Sequence, residues 1–144
     1  MVISICGNNK TLLIDRIKEI YSDRVIVCDY FTIKLNSIID TEKYKYQLLD
    51  SLSLESARLE YSKIVDREVR KRMDRVIKEN NNKIIIIIND AILNKDYYST
   101  EYFLMSDLKI LISDDIDDKY NYELFEYVYN NVFDINIKKL VKLW

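Results

Sequence analysis

Residues with chemically useful side chains follow three short apolar stretches of this chain. Lys10 and Thr11 come soon after the first stretch, and Asp29 directly follows the second. Asn89 and Asp90 follow the third, which consists of five consecutive isoleucines. An amine, a hydroxyl and carboxylates can neutralise anions, hold metal ions or accept protons. Because ligands of open parallel sheets bind at the carboxyl ends of the strands, we expect function where these residues stand.

The composition excludes several kinds of site. The chain has no histidine, so triads, general bases and metal centres that depend on histidine are excluded. Gly7 is the only glycine, and phosphate loops that need several glycines are therefore incomplete here. The two cysteines, Cys6 and Cys28, lie at the ends of apolar stretches and are expected to be buried as small hydrophobic residues. Two cysteines are also too few for an unaided zinc site.

The isoleucine run at 84–88 indicates the fold class. β-branched residues favour strands, and an apolar run without alternation suits a strand that is covered on both faces. The run is too short to span a membrane. We therefore expect it to form the central strand of a parallel sheet between layers of helices.

The rest of the chain alternates strands with helices. Further strands are predicted at 2–6, 24–28 and 108–113, with a short edge strand at 124–129. Helices are predicted at 11–21, 30–52, 53–79, in the second half of 91–105 and at 135–144. The residues expected on their buried sides are Leu12, Leu13, Ile14, Ile17 and Ile20 in the first helix, Ala57, Tyr61, Ile64, Val65, Val69, Met73, Val76 and Ile77 in the third, and Ile137, Leu140, Val141 and Trp144 in the last. With no repeat or linker, the sequence predicts one domain over 1–144, a three-layer α/β/α sandwich with a mainly parallel sheet.

Charge and composition indicate a soluble, cytoplasmic protein. Of the 144 residues, 49% are hydrophobic and 32% are charged, which is ordinary for a globular domain. The net charge of −2 gives no basic field for nucleic acid. Nucleic acid is therefore not expected as a partner. No signal peptide or membrane-spanning segment is evident, so a membrane is not expected as a partner either.

The order of these features resembles that of the P-loop nucleotide kinases, above all the dephospho-coenzyme A kinases and the phage-type deoxynucleoside monophosphate kinases. Gly7, Asn8, Asn9, Lys10 and Thr11 occupy the place of the nucleotide-binding Walker A loop. The resemblance implies ATP and Mg²⁺ as ligands, with the lysine on phosphate and the threonine hydroxyl on the metal. The loop is shorter than the family's, however, and asparagine replaces the glycine before the lysine. The alternative is a helix that starts after a tight turn.

Two further residues match the family's catalytic machinery. Asp29 matches the acid that dephospho-coenzyme A kinases carry after the second strand as a candidate base, and its alternative role is to cap the following helix. The segment I-V-D-R-E-V-R at 64–70 resembles the family's I-L-H-P-x-V-R, which makes Arg70 a candidate ligand of substrate phosphate. The alternative is a solvated helix face with ion pairs between successive turns.

The end of the isoleucine strand and the C-terminal part complete the resemblance. The segment D-A-I-L-N-K-D at 90–96 resembles D-V-R-F-x-x-E of the phage-type kinases and, equally, D-x-P-L-L-F-E of the coenzyme A kinases. Either resemblance would let Asp90 hold Mg²⁺ through water. The segment Y-V-Y-N-N at 127–131 resembles the family's closing edge strand and turn. Where the family carries an arginine-bearing lid, residues 113–118 read S-D-D-I-D-D, which is a solvated acidic loop or a divalent-cation site.

These features lead to three hypotheses. The leading one is a degenerate nucleotide-kinase fold with little or no phosphotransferase activity, acting as an interaction module for a protein, which is either another copy of the chain or an assembly partner. The twelve tyrosines suit such a surface. The second is an active small kinase that transfers phosphate from ATP to a nucleotide or a nucleoside-like substrate. The third is a structural subunit of a larger assembly.

Overall fold

The computed structural model describes residues 1–90, 97–113, 124–129 and 135–141. Its strands are β1 (Val2–Gly7), β2 (Val25–Asp29), β3 (Ile84–Ile88), β4 (Leu108–Ile112) and β5 (Tyr127–Tyr129). Its α-helices are α1 (Lys10–Tyr21), α2 (Tyr30–Ser51), α3 (Leu54–Glu79), α4 (Tyr97–Met105) and α5 (Ile137–Val141), and one 3₁₀ turn spans Ser22–Arg24. The predicted alternation of strands and helices is therefore confirmed for the part of the chain that the structure describes.

The described residues form a sheet of five strands in the order β2-β3-β1-β4-β5, in which every neighbouring pair is parallel. The isoleucine strand β3 pairs with β2 on one side and β1 on the other, so its predicted interior position is correct. Its predicted central position is wrong, since β1 is the middle strand. A run of buried isoleucines indicates that a strand is covered on both faces, but it does not say how many strands lie on either side.

Helices cover both faces of the sheet. On one face, α1 and α5 pack against Ile3, Ile5 and Ile86. On the other face, α3 and α4 pack against Ile85 and Ile87, the alternate residues of β3. The period-2 alternation of side chains along a strand thus sends successive isoleucines into two separate cores. This is the predicted α/β arrangement, with a sheet that is wholly parallel.

The buried side of α1 differs from the prediction. Leu13, Ile14 and Ile17 are buried as expected, whereas Leu12 is 49% exposed and Ile20 is 41% exposed. Each residue turns the helix by about 100°. The stripe of α1 that meets the sheet therefore continues from Ile17 to Tyr21, which packs against the same core. Leu12 and Ile20 lie on the flank of that stripe, where the sheet does not reach. The predicted burial of these two residues is therefore wrong.

The two longest helices, α2 and α3, pack against each other as a hairpin joined through Leu52 and Ser53. The hydroxyl of Tyr61 on α3 donates to the Ile38 carbonyl of α2 at 3.0 Å. Arg72 of α3 binds Asp40 of α2 at 2.6 Å and its own helix's Glu68 at 2.9 Å, contacts that raise the pKa of the guanidinium. The contacts between the helices join α3 to the middle of α2.

The hairpin extends beyond the carboxyl edge of the sheet. The 26 residues of α3 span about 39 Å, whereas a five-residue strand spans about 17 Å. Because α3 ends just before the start of β3, its first part must lie past the other end of the strands. Of residues 54–64, all of which the structure describes, only Ala57 is buried. None of the described helices combines the length and the apolar character that crossing a membrane requires.

Candidate functional site

The candidate site lies at the carboxyl ends of β1 and β3, which are neighbours in the sheet. The helix that follows β1 packs on one face of the sheet, and the next helix described after β3 packs on the other. Where successive connections leave a parallel sheet on opposite faces, a crevice opens between the strand ends. The turn after β1 and the residues Asn89 and Asp90 lie at these strand ends, where the sequence places them.

The turn after β1 is held by contacts within the chain. The backbone N–H of Gly7 donates to the Asp90 carboxylate at 2.9 Å, and the N–H of Asn8 donates to the Ile112 carbonyl at 2.7 Å. The Lys10 ammonium donates to the Gly7 carbonyl at 2.8 Å and forms an ion pair with Asp90. The structure therefore brings Gly7, Lys10 and Asp90 into direct contact across the ends of two strands.

Gly7 is required by the approach of β4. Its φ of +104° is a conformation that side-chain-bearing residues rarely adopt, and a Cβ atom there would lie 1.9 Å from the Ile112 carbonyl oxygen. Asn9, at φ +55°, takes the left-handed conformation that asparagine tolerates and precedes the first residue of α1. The glycine thus has a structural reason within the sheet itself, in addition to any role that the family resemblance implies.

The charges at the crevice compensate one another. Lys10 is the cation that the resemblance assigns to phosphate, and its partner Asp90 is the acid that the resemblance assigns to magnesium. A paired lysine attracts a polyanion less than an isolated one does, because the neighbouring carboxylate repels the same anion. A metal ion at Asp90 would likewise compete with the lysine ammonium. Thr11, the other proposed magnesium ligand, is exposed in the first turn of α1.

Cys6 lies beside this crevice but is not a nucleophile. Its thiol donates to the Asn89 carbonyl at 3.2 Å and is fully buried. Burial, reinforced by the nearby Asp90 carboxylate, raises the pKa of the thiol to about 12. The thiol is therefore protonated at neutral pH, and only a thiolate would be reactive. Cys6 and Cys28 are both free and buried, as the sequence predicts.

Asp29 caps α2. Its carboxylate accepts hydrogen bonds from the backbone N–H groups of Phe31 at 3.0 Å and Thr32 at 3.4 Å. Helix capping is the alternative role that the sequence predicts for Asp29. A capping aspartate accepts hydrogen bonds from N–H groups that the first turn of a helix leaves unpaired. Ser53 caps α3 in the same way by accepting from the N–H of Ser56.

We expect the substitution Asp29→Ala to lower the free energy of unfolding by about 1 kcal/mol, since the first turn of α2 loses its cap. Asp29→Asn is the matched control, because asparagine caps helices about as well as aspartate but cannot act as a base. Urea unfolding of the three proteins measures both effects. Equal destabilisation by the two substitutions would contradict the capping role.

Arg70 contacts α4. Its guanidinium forms an ion pair with Glu101 of α4, and its carbonyl accepts a hydrogen bond from the Tyr102 hydroxyl at 3.2 Å. The hydrogen bond to Glu101 raises the pKa of this exposed arginine. These contacts join α3 to α4. The contacts described for Arg70 and Asp29 therefore do not join them to the group formed by Gly7, Lys10 and Asp90.

Part of the predicted site lies outside the described residues. This applies to all of the motif at 90–96 except Asp90, to the acidic segment after Ser113, to the two asparagines at 130 and 131, and to Trp144. Within the described ranges, no three cysteine or acidic side chains come together as a metal site would require.

The sequence analysis missed an exposed surface on α2. Seven large apolar side chains on this helix are between 37% and 65% exposed. One of them, Tyr44, lies on the opposite side of the helix from the others. We call the remaining six the α2 apolar face: Phe31, Leu35, Ile38, Ile39, Tyr46 and Leu49. The residues of α2 that pack inward are others, among them Tyr30, Ser37 and Thr41. The signal was present in the sequence, because α2 carries more apolar residues than one buried stripe requires.

No known protein was found to match this chain. A scan against protein-family models found no match, and searches of curated proteins and of solved structures found none either. The functional interpretation therefore depends on the geometry of this chain alone.

Proposed function

We propose that this protein is a degenerate nucleotide-kinase fold that transfers little or no phosphate and acts by binding another protein. The observation that carries the proposal is the state of the turn after β1. Its N–H groups at Gly7 and Asn8 donate to Asp90 and Ile112, and its lysine is paired with Asp90. The groups that would surround a polyphosphate in a Walker A loop are used by the chain itself.

Phosphoryl transfer requires that the transferred group be held by preorganised donors and cations. Enzymes of this kind depend almost wholly on positioning and on electrostatic stabilisation of the transferred group. Loss of one preorganised donor typically raises a reaction barrier by about 2.7–4 kcal/mol. With two backbone donors and the lysine engaged elsewhere, the combined loss leaves little catalysis. Binding of ATP would first have to break the contacts of Asp90 with Gly7 and Lys10.

The α2 apolar face supports the binding role. Scattered exposed apolar residues are ordinary, but several of them on one side of a single helix indicate a surface that another molecule covers. This face lies on a hairpin that extends past the sheet, where a partner can approach it without contacting the rest of the fold. The ion pair of Arg72 with Asp40 and the hydrogen bond from Tyr61 to Ile38 hold α2 against α3, so the apolar face stands on a packed helical hairpin.

Titration with ATP and Mg²⁺ tests the loss of nucleotide binding. We expect millimolar ATP–Mg²⁺ to leave the unfolding temperature unchanged, because the turn offers no free cradle. A ligand at a hundred times its dissociation constant would stabilise the fold by about 2.7 kcal/mol, which calorimetry or dye-based thermal unfolding detects readily. Deoxynucleoside monophosphates and dephospho-coenzyme A belong in the same series as candidate acceptors.

The second candidate function is an active small kinase, and one observation favours it. Gly7, Lys10 and Asp90 are brought together at the edge of a parallel sheet where ligands bind. The matched variant is Lys10→Ala. Stabilisation by ATP together with turnover of ATP, both abolished by this substitution, would overturn the proposed loss of activity and establish the kinase.

A further inference from the structure

We propose that the partner of this protein is a second copy of the same chain, bound through antiparallel pairing of α2 with α2. This inference rests on the proposed role in protein binding and names the partner for the α2 apolar face. The evidence is a second set of residues along α2, which we call the seam. In two antiparallel copies of the seam, apolar residues lie opposite apolar residues and opposite charges lie opposite each other.

The seam follows the spacing of a coiled coil. Successive members are four and three residues apart: Phe31, Leu35, Ile38, Glu42, Lys45 and Leu49 on α2, and Leu52 directly after its last residue. Alternation of four and three keeps the residues on one side of a helix, facing a partner helix. All seven side chains are exposed, and five of them are large and apolar. Only the two central positions are charged.

From Leu35 to Leu52, apolar and charged positions of the seam are placed symmetrically about a point between residues 43 and 44. In an antiparallel pair centred there, Leu35 lies opposite Leu52 of the second copy, and Ile38 lies opposite Leu49. At the centre, Glu42 of each copy lies opposite Lys45 of the other. One two-fold axis therefore produces four apolar contacts and two ion pairs, which is the self-complementarity that a symmetric dimer requires.

The charges select this arrangement over others. A parallel, in-register pair would place Glu42 against Glu42 and Lys45 against Lys45, which like-charge repulsion disfavours. An antiparallel pair shifted by one turn would place a charge against a leucine or isoleucine. Polar residues at single positions of a seam set the register of coiled coils in this way. In the described residues, neither Glu42 nor Lys45 belongs to an ion pair, and Glu42 accepts only a 3.5 Å hydrogen bond from Tyr46.

The shape of the fold leaves room for this pairing. The second half of α2 packs along the first part of α3, which extends past the carboxyl edge of the sheet. The residues of α2 that pack inward, Ser37 and Thr41, lie on a different side of the helix from the seam. A second α2 can therefore lie along the seam without displacing α3.

Light scattering on the chromatographed protein tests the dimer. At micromolar concentration we expect a mass of twice the 17.3 kDa of the chain. The variants Glu42→Lys and Lys45→Glu each replace both central ion pairs with like charges, so each is expected to self-associate at least about a hundredfold more weakly. A 1:1 mixture of the two variants restores opposite charges at both positions and is expected to form the dimer again, as is the double variant.

The control is Lys43→Glu, the same change of charge on an exposed residue of α2 that is not in the seam. It is expected to leave the dimer intact, and circular dichroism establishes that every variant is folded. A monomeric parent protein, or a dimer that Glu42→Lys leaves unchanged, would overturn this inference. ATP turnover by a dimer would instead overturn the proposed function and leave the pairing of α2 in place.

Discussion

The substitution Gly7→Ala is expected to lower the free energy of unfolding by at least about 3 kcal/mol. A residue with a side chain at this φ of +104° costs about 1–3 kcal/mol in backbone strain. The new methyl group would also overlap the Ile112 carbonyl oxygen, from which it would lie only 1.9 Å away. That oxygen belongs to the backbone of an inner strand and accepts the N–H of Asn8, so it cannot move without breaking a hydrogen bond.

Urea unfolding compares this variant with Asn8→Ala. Asn8 is exposed and has no positive φ, and its N–H bond to Ile112 does not depend on its side chain. Asn8→Ala is therefore expected to change the free energy of unfolding by less than about 0.5 kcal/mol. If Gly7→Ala proved as mild as this control, the close approach of β4 to the turn would not be the reason for the glycine. An effect confined to nucleotide affinity would instead support the kinase.

The second large effect is expected at Ile86, in the middle of β3. Ile86 is fully buried and lies between Val27 of β2 and Ile3 of β1, facing the core formed with α1 and α5. The substitution Ile86→Ala removes three buried carbon atoms and leaves a cavity that both neighbouring strands prevent from closing. Such substitutions cost about 2–5 kcal/mol, and the lower strand propensity of alanine adds to the loss.

The same substitution at Ile20 is the matched control. Ile20 lies on the flank of α1 and is 41% exposed, so Ile20→Ala is expected to cost less than about 1 kcal/mol. Alanine is also the better helix former, which offsets part of the loss. Both variants are compared by urea unfolding at one protein concentration, because self-association makes stability depend on concentration. Equal losses at the two positions would contradict the burial described for β3.

Local features of the fold were predictable from the sequence. The isoleucine run predicts β3, and the spacing of Val65, Val69 and Met73 predicts the buried side of α3. The caps at Asp29 and Ser53 are visible because a capping residue acts within its own helix turn. These properties depend on residues a few positions apart, and the sequence contains that information directly.

The central strand and the state of the candidate site were not predictable. The contact that requires Gly7 involves Ile112, and the ion pair that neutralises Lys10 involves Asp90, both far away along the chain. Sequence spacing places these residues at strand ends, but the order of strands in the sheet decides which ends meet. The same pattern of residues is compatible with an open phosphate site and with the self-contained turn that the structure shows.

The sequence by itself determined where strands and helices form, that the sheet is parallel and which residues stand at its carboxyl edge. Only the tertiary structure decided that β1 is central, that Lys10 is held by Asp90, and that α2 keeps one apolar side exposed. Helix α2 has apolar residues on two sides, and periodicity cannot tell which of them faces inward. The physical reason is that secondary structure follows from local spacing, whereas burial and charge pairing depend on which distant segments pack together.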